Sequence, residues 1–154
     1  MRPDKHFIYG LIFSLIIFLI FPSIGVTGLL IIIFSTIFID IDHFIYYAFR
    51  KKNLSLKKAV VWYTNNWLKF NKFTPEQKEK VYGGAFIFHG IEMLVILLIL
   101  GVFLSRIFLF IFIGFLFHMF LDWYMEIKLK PRTDKVSFIG DILNFRKLTH
   151  IDEI

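Results

Sequence analysis

The chain has 154 residues, 57% of them hydrophobic, with a mean hydropathy of +0.68. That is more apolar than an ordinary soluble domain, where roughly 45–50% is usual, and it points to one membrane-embedded unit. There is no cysteine, which excludes disulfides, zinc–thiolate sites and thiol catalysis, and the net charge of +6 sits on lysines beside apolar runs, so an anionic membrane surface is expected and nucleic acid is not.

From Phe7 to Ile39 no side chain is charged. That is too long for one crossing, since about 20 apolar residues span the hydrocarbon core. Pro22, Gly25 and Gly28 in "FPSIGVTG" interrupt it, so a hairpin of two spans is predicted, about His6 to Phe21 and Ile24 to Phe49. "MRPDK" before an apolar run also resembles a signal peptide. Asp4 and the lack of a small-residue cleavage site favour a retained span.

Arg50 to Lys80 is strongly basic. Leu56, Val60, Tyr63, Trp67 and Phe70 recur at helical spacing, with Trp62 also suited to an interface. This is an amphipathic helix, expected to lie on the bilayer or to pack under the protein's own cytoplasmic side. "TPEQ" carries a helix start, with Thr74 as cap, Pro75 at the first position and Gln77 at the third. A third span is predicted over Gly83 to Leu104 and a fourth over Ile107 to Ile127, joined by a short turn at Ser105 and Arg106. The polar tail runs from Lys128 to Ile154.

The basic residues set the orientation. Arg2 and Lys5, nine Lys or Arg in the central segment, and Lys128, Lys130, Arg132, Lys135, Arg146 and Lys147 lie on one side; the two opposite turns carry only Arg106. The positive-inside rule puts both termini in the cytoplasm. The expected fold is thus an all-α integral membrane protein, a bundle of four transmembrane helices. Its membrane domain covers residues 1–127, with 50–82 as the basic cytoplasmic segment and 128–154 as a cytoplasmic tail. The expected location is the inner or plasma membrane, with membrane lipid and anionic headgroups as partners and a homo-oligomer as an open option.

On that topology His6, Asp40, Asp42, His43, His89, Glu92, His118 and Asp122 all fall at one depth, toward the cytoplasm. Residues three or four apart share a helix face. Asp40 with His43, His89 with Glu92, and His118 with Asp122 each satisfy that spacing. Asp42 lies about 200° around a straight helix from Asp40, which leaves it to a supporting role or to an irregular helix. Each mid-span Asp costs roughly 2.5–3.5 kcal/mol to insert, and the carboxylates repel. One or two divalent cations would cancel that charge. Mixed imidazole and carboxylate suits zinc first, then manganese or iron. Asp42 and Glu92 are the candidate catalytic groups, as general base, metal bridge or ligand-orienting residue. Glu126 is expected near water and His150 on the surface of the tail.

"KHFIYG" (residues 5–10), "DIDHF" (40–44), "FHGIE" (88–92) and "GFLFHMFLD" (114–122) follow one another as in a known group. In these motifs the chain resembles the membrane-bound, metal-dependent hydrolases, which include LexA-binding, inner-membrane-associated hydrolases. The resemblance covers the transmembrane part and not the tail. It implies a small multi-span bundle with an early His, an Asp-x-Asp-His motif, a later His motif and a closing His-x-x-x-Asp. The third motif departs from the family's His-Arg-Gly-x-Thr-His: only His89 is present, and Glu92 is expected to take the missing ligand's place. The resemblance implies a metal-dependent hydrolase and names no substrate; the depth of the site, at the cytoplasmic headgroup level, adds the expectation of a phosphoester or ester of a lipid or other amphiphile. A di-iron oxidase or desaturase and a metal or proton transporter are the alternatives. No P-loop, dinucleotide fingerprint or G-x-S-x-G motif is present.

Overall fold

Uncharged apolar sequence followed by Pro and Gly makes the first hairpin. Helix α1 (Pro3–Ile20) meets a short 3-10 turn at Pro22–Ile24, and α2 (Gly25–Phe38) returns along it. The computed structural model describes residues 3–129 and 134–154, with side chains for 5–128 and 134–154. Arg2, Lys130 and Arg132, counted above for orientation, lie outside the described residues. After α2 come α3 (Ile41–Lys51), α4 (Leu56–Asn71), α5 (Pro75–Glu79), α6 (Ile91–Phe103), α7 (Arg106–Leu129) and α8 (Phe138–Phe145). A two-residue parallel pair, β1 (Val81–Tyr82) with β2 (Thr149–His150), ties the tail to the central segment. The fold is otherwise all-α.

Helix α7 is the centre of the bundle, packed against α1, α2 and α6, while α1 pairs with α2. Ile39, Leu94, Leu97, Phe115 and Met119 form the buried apolar core. The helices approach closely where glycine removes a side chain. A Cβ at Gly114 would lie 2.6 Å from Ser35 Cβ and 2.8 Å from the Ile32 carbonyl oxygen. Gly10 abuts Thr36 in the same way. Small residues at helix crossings are a membrane-bundle habit, because van der Waals contact between backbones replaces the hydrophobic effect there.

Two stretches are long and apolar enough to cross a membrane, Pro22–Lys51 and Arg106–Lys128, whereas Lys5–Ile20 and Ile91–Phe103 are apolar but shorter. The second predicted span is not one straight helix. Asp40 N bonds to Ile37 O at 3.2 Å, a tighter i→i−3 closure, and the chain restarts as α3. The third predicted span is shorter than expected. Gly83 to Phe86 is outside any helix, residues 87–89 form a 3-10 turn, Gly90 is extended, and α6 begins only at Ile91. At about 1.5 Å per residue, the 13 residues of α6 reach only about 20 Å.

In the central segment, Thr74 and Gln77 form the expected capping box. The apolar face of α4 divides. Tyr63 and Phe70 turn toward the protein, while Leu56, Val60 and Trp67 remain exposed. The tail also differs from expectation. His150 is buried at 1% exposure, stacked on Trp62 and Tyr46, with Nε2 3.2 Å from the Gly83 carbonyl oxygen. The strand pair puts it there, with Tyr82 opposite His150. Glu126 is half-buried, where water was expected.

Candidate metal centre

The break at Ile39–Asp40 is the first element of the site. Tightening the turn leaves the Thr36 carbonyl without its usual helical donor, and His118 Nδ1 on α7 meets that oxygen at 2.7 Å. His118 Nε2 then points away from α2. The 3-10 turn before α6 acts in parallel. It frees the Phe88 N–H, which donates to Asp42 Oδ2 at 2.9 Å, and the same oxygen meets His89 Nδ1 at 3.0 Å. Both imidazoles are therefore oriented from behind through Nδ1.

Their Nε2 atoms are buried and have no hydrogen-bond partner among the described residues. They face two carboxylates. His89 Nε2 lies 3.6 Å from Asp40 Oδ1 and 3.7 Å from Asp122 Oδ2; His118 Nε2 lies 3.5 and 3.8 Å from the same two atoms. These separations are too long for good hydrogen bonds. They are close to the edges of a ligand tetrahedron: bonds of about 2.0–2.1 Å give edges of about 3.3–3.4 Å. Imidazoles held through Nδ1 by a carboxylate or a carbonyl, with Nε2 directed at a common point, are the usual support of a bound cation. The residues present thus fit a divalent metal, which Asp40, His89, His118 and Asp122 would hold.

The remaining sequence candidates take other places. His6 reaches the cluster through the second oxygen of Asp122, Nε2 to Oδ1 3.1 Å, and its ring stacks on His118 at 3.9 Å. His6, His118 and Asp122 form one metal-capable group and Asp40, His43 and His89 another. The contacts between His118 and Asp40 and between His89 and Asp122 join the two. His43 sits at the more open edge, its side chain 23% exposed beside Asp40 at 28%. Its Nδ1 lies 3.0 Å from Asp42 Oδ1 and 3.5 Å from Asp40 Oδ1.

Asp42 is not directed at the common point. Oδ1 is taken by His43, and Oδ2 by His89 and the Phe88 amide. A metal-bridging or base role for it gives way to a supporting one. Glu92 is not brought into the group at all. Its carboxylate accepts from Ser137 Oγ at 2.5 Å, Phe138 N at 3.0 Å and Ile139 N at 3.2 Å, capping the start of α8. The spacing argument failed there because His89 and Glu92 do not share a helix: extended Gly90 separates them.

One residue of the site was not expected. Lys135, in the tail, is lodged among these metal-capable groups, with Nζ 2.9 Å from Asp122 Oδ2 and 3.2 Å from His43 Nε2. Trp123 Nε1 donates to its carbonyl, and its own N–H donates to Asp141. Burial opposes its charge, but Asp122, Glu126 and Asp40 outweigh burial and hold the ammonium above the ordinary lysine range. Nothing in the local sequence marks it. On the other side, the Tyr63 hydroxyl donates to the His43 carbonyl at 2.8 Å, and burial keeps that phenol protonated above its usual range.

No protein-family model matches the chain, and no curated protein or solved structure is detectably similar to it.

Proposed function

We infer that the chain is a multi-pass membrane protein and a metal-dependent hydrolase, with its metal centre at the cytoplasmic headgroup level. The observation that carries the metal centre is the pair of buried, unpartnered Nε2 atoms of His89 and His118 facing Asp40 and Asp122 at 3.5–3.8 Å. Two imidazoles and two carboxylates at tetrahedral spacing favour zinc, with manganese or iron next. The membrane reading draws on the two long apolar stretches, of which only 28% is buried. A soluble core helix of that hydropathy would be covered. Exposed Leu19, Phe34, Val102 and Phe103 fit a lipid-facing surface. The shorter α1 and α6 complete a four-span bundle with both termini inside. Non-helical backbone before α6 suits membrane depth because it is enclosed by protein at His89.

A divalent ion bound there would lower the pKa of its water and polarise a phosphoryl or acyl oxygen. The chain's own groups would do the rest. Asp42 fixes His43 through Nδ1, so Nε2 carries the lone pair and faces the Lys135 ammonium at the partly open edge. Asp40 and His43 form the face that a headgroup from the bilayer would meet. The substrate class that fits is a phosphoester or ester of an amphiphile. A di-iron reading is weakened because Glu92, a required carboxylate, caps α8 instead.

Metal analysis of purified wild type beside Asp40→Ala and His118→Ala, with helicity checked, tests the centre. Bound zinc, manganese or iron in the wild type and its loss in both variants is expected; retention in both defeats the ligand assignment. Chelator-sensitive cleavage of a lipid phosphoester or ester panel, set against metal uptake into liposomes, separates hydrolase from carrier.

A further inference from the structure

The Lys135 ammonium is lodged among metal-capable groups with its side chain 14% exposed, and a charge so placed is costly unless it is paired, as Asp122 pairs it here. Lys135 is also one of the described non-glycine residues with positive φ, at 60°. A side chain in that region strains the backbone, and such strain collects at functional sites. The tail spends several contacts to hold it. Ile91 N bonds to Val136 O at 2.9 Å, Glu92 caps α8 two residues on, and Trp123 grips the Lys135 carbonyl.

Charge accounting says what the ammonium replaces. The three carboxylates within 4 Å of the His89 ring, Asp40, Asp42 and Asp122, bring three negative charges, and Lys135 returns one positive charge. Within that shell the remainder matches one divalent ion. Within that shell a second divalent ion would leave two excess positive charges. Lys135 Nζ also stands against Asp122 and His43, two groups that a second ion would need. An ammonium has three donors. Two point at Asp122 Oδ2 and His43 Nε2; the third has no hydrogen-bond partner among the described residues, and the Phe86 ring centre lies 5.1 Å from Nζ.

We propose that the centre takes one metal ion and that Lys135 serves as its second cation, binding an oxygen of a phosphoryl group presented by the substrate. The proposal rests on the metal-centre reading above and narrows its substrate to a phosphoester. A fixed point charge beside a metal suits the spread charge of a phosphoryl group, whose several oxygens can reach both cations. The phosphate could belong to a lipid headgroup or to a soluble ester.

The test measures metal per chain and phosphate binding together. Wild type, Lys135→Met and Lys135→Arg are reconstituted in phosphatidylcholine nanodiscs and loaded with zinc. Inorganic phosphate is titrated calorimetrically, and in a second arm phosphatidate replaces part of the lipid with no free phosphate present. Expected are one zinc per chain in wild type, a loss of phosphate affinity of tenfold or more in Lys135→Met with zinc retained, and recovery to within about threefold in Lys135→Arg. Lys135 dependence in the phosphatidate arm alone supports a headgroup; dependence with inorganic phosphate also supports recognition of the phosphoryl group itself. Two zinc per chain, no phosphate binding by loaded wild type in either arm, or equal affinity in Lys135→Met overturns the proposal and leaves the metal centre standing. Wild type without metal overturns both readings.

Discussion

At the scale of single residues, the proposed centre separates groups that would touch a cation from groups that aim them. Asp42 aims two imidazoles at once, His89 through Oδ2 and His43 through Oδ1. Asp42→Asn keeps the shape but removes the carboxylate that sets the His89 tautomer. Its expected effect is a drop in metal affinity of about 10–100-fold at unchanged stoichiometry, read by competition with a fluorescent chelator. Affinity equal to wild type would show that the Nδ1 contact does not matter. Glu92→Gln is the contrasting change. Its carboxylate holds the first turn of α8, so metal content should stay at the wild-type level while amide exchange over residues 134–145 accelerates. Loss of metal with an unchanged tail would return Glu92 to the site.

At the scale of elements, the breaks in α2–α3 and before α6 make the site, and close helix crossings hold it level. Gly114 lets α7 touch α2 just above His118, with no room for a methyl group beside Ser35. Gly114→Val forces the helices apart, and overpacking of this kind costs about 1–3 kcal/mol. A lowered unfolding midpoint in detergent, together with weakened metal binding, is expected; an unchanged midpoint would contradict the packing. The short third helix was partly legible. "VYGGAFIFHGIE" places Gly83, Gly84 and Gly90 around His89, a glycine density that argues against a continuous helix. Hydropathy over the same residues overrode it, and the shared face of His89 and Glu92 was lost with the helix. The kink at Asp40 left its trace in Asp42, whose direction made no sense on a straight helix.

At the scale of the whole molecule, topology and tail docking are separately testable. The chain lacks cysteine, so single cysteines report cleanly. Ser23→Cys and Ser105→Cys should react with an impermeant maleimide from outside intact cells. Asn53→Cys and Lys147→Cys should react only after permeabilisation. Any reversal breaks the four-span arrangement. The tail's end is fastened by Arg50 and Lys51 to Asp152 and by His150 beneath Trp62. Burial holds the His150 imidazole below its ordinary value of 6.5, against the pull of Asp152. With the folded value lowered, the undocked tail binds the extra proton as pH falls through 6.5, so docking is full above that pH and weakens below it. Exchange protection of residues 149–152 should therefore fall between pH 7.5 and 5.5, and His150→Phe should flatten the response. Protection that rises on acidification would reverse the assigned sign.

By itself the sequence determined the apolar stretches, the basic central segment, the capping box at Thr74 and the set of imidazoles and carboxylates from which a site could be drawn. These are local properties: periodicity, hydropathy and spacing are carried by neighbours along the chain. Only the tertiary structure decided which of those residues converge. It turned Asp42 into a support, took Glu92 away to cap α8, buried His150, and brought Lys135 from 92 residues beyond His43 into the cluster. Such assignments depend on where a helix breaks and which carbonyl or carboxylate the break leaves free, and that is settled by packing between segments far apart in the chain.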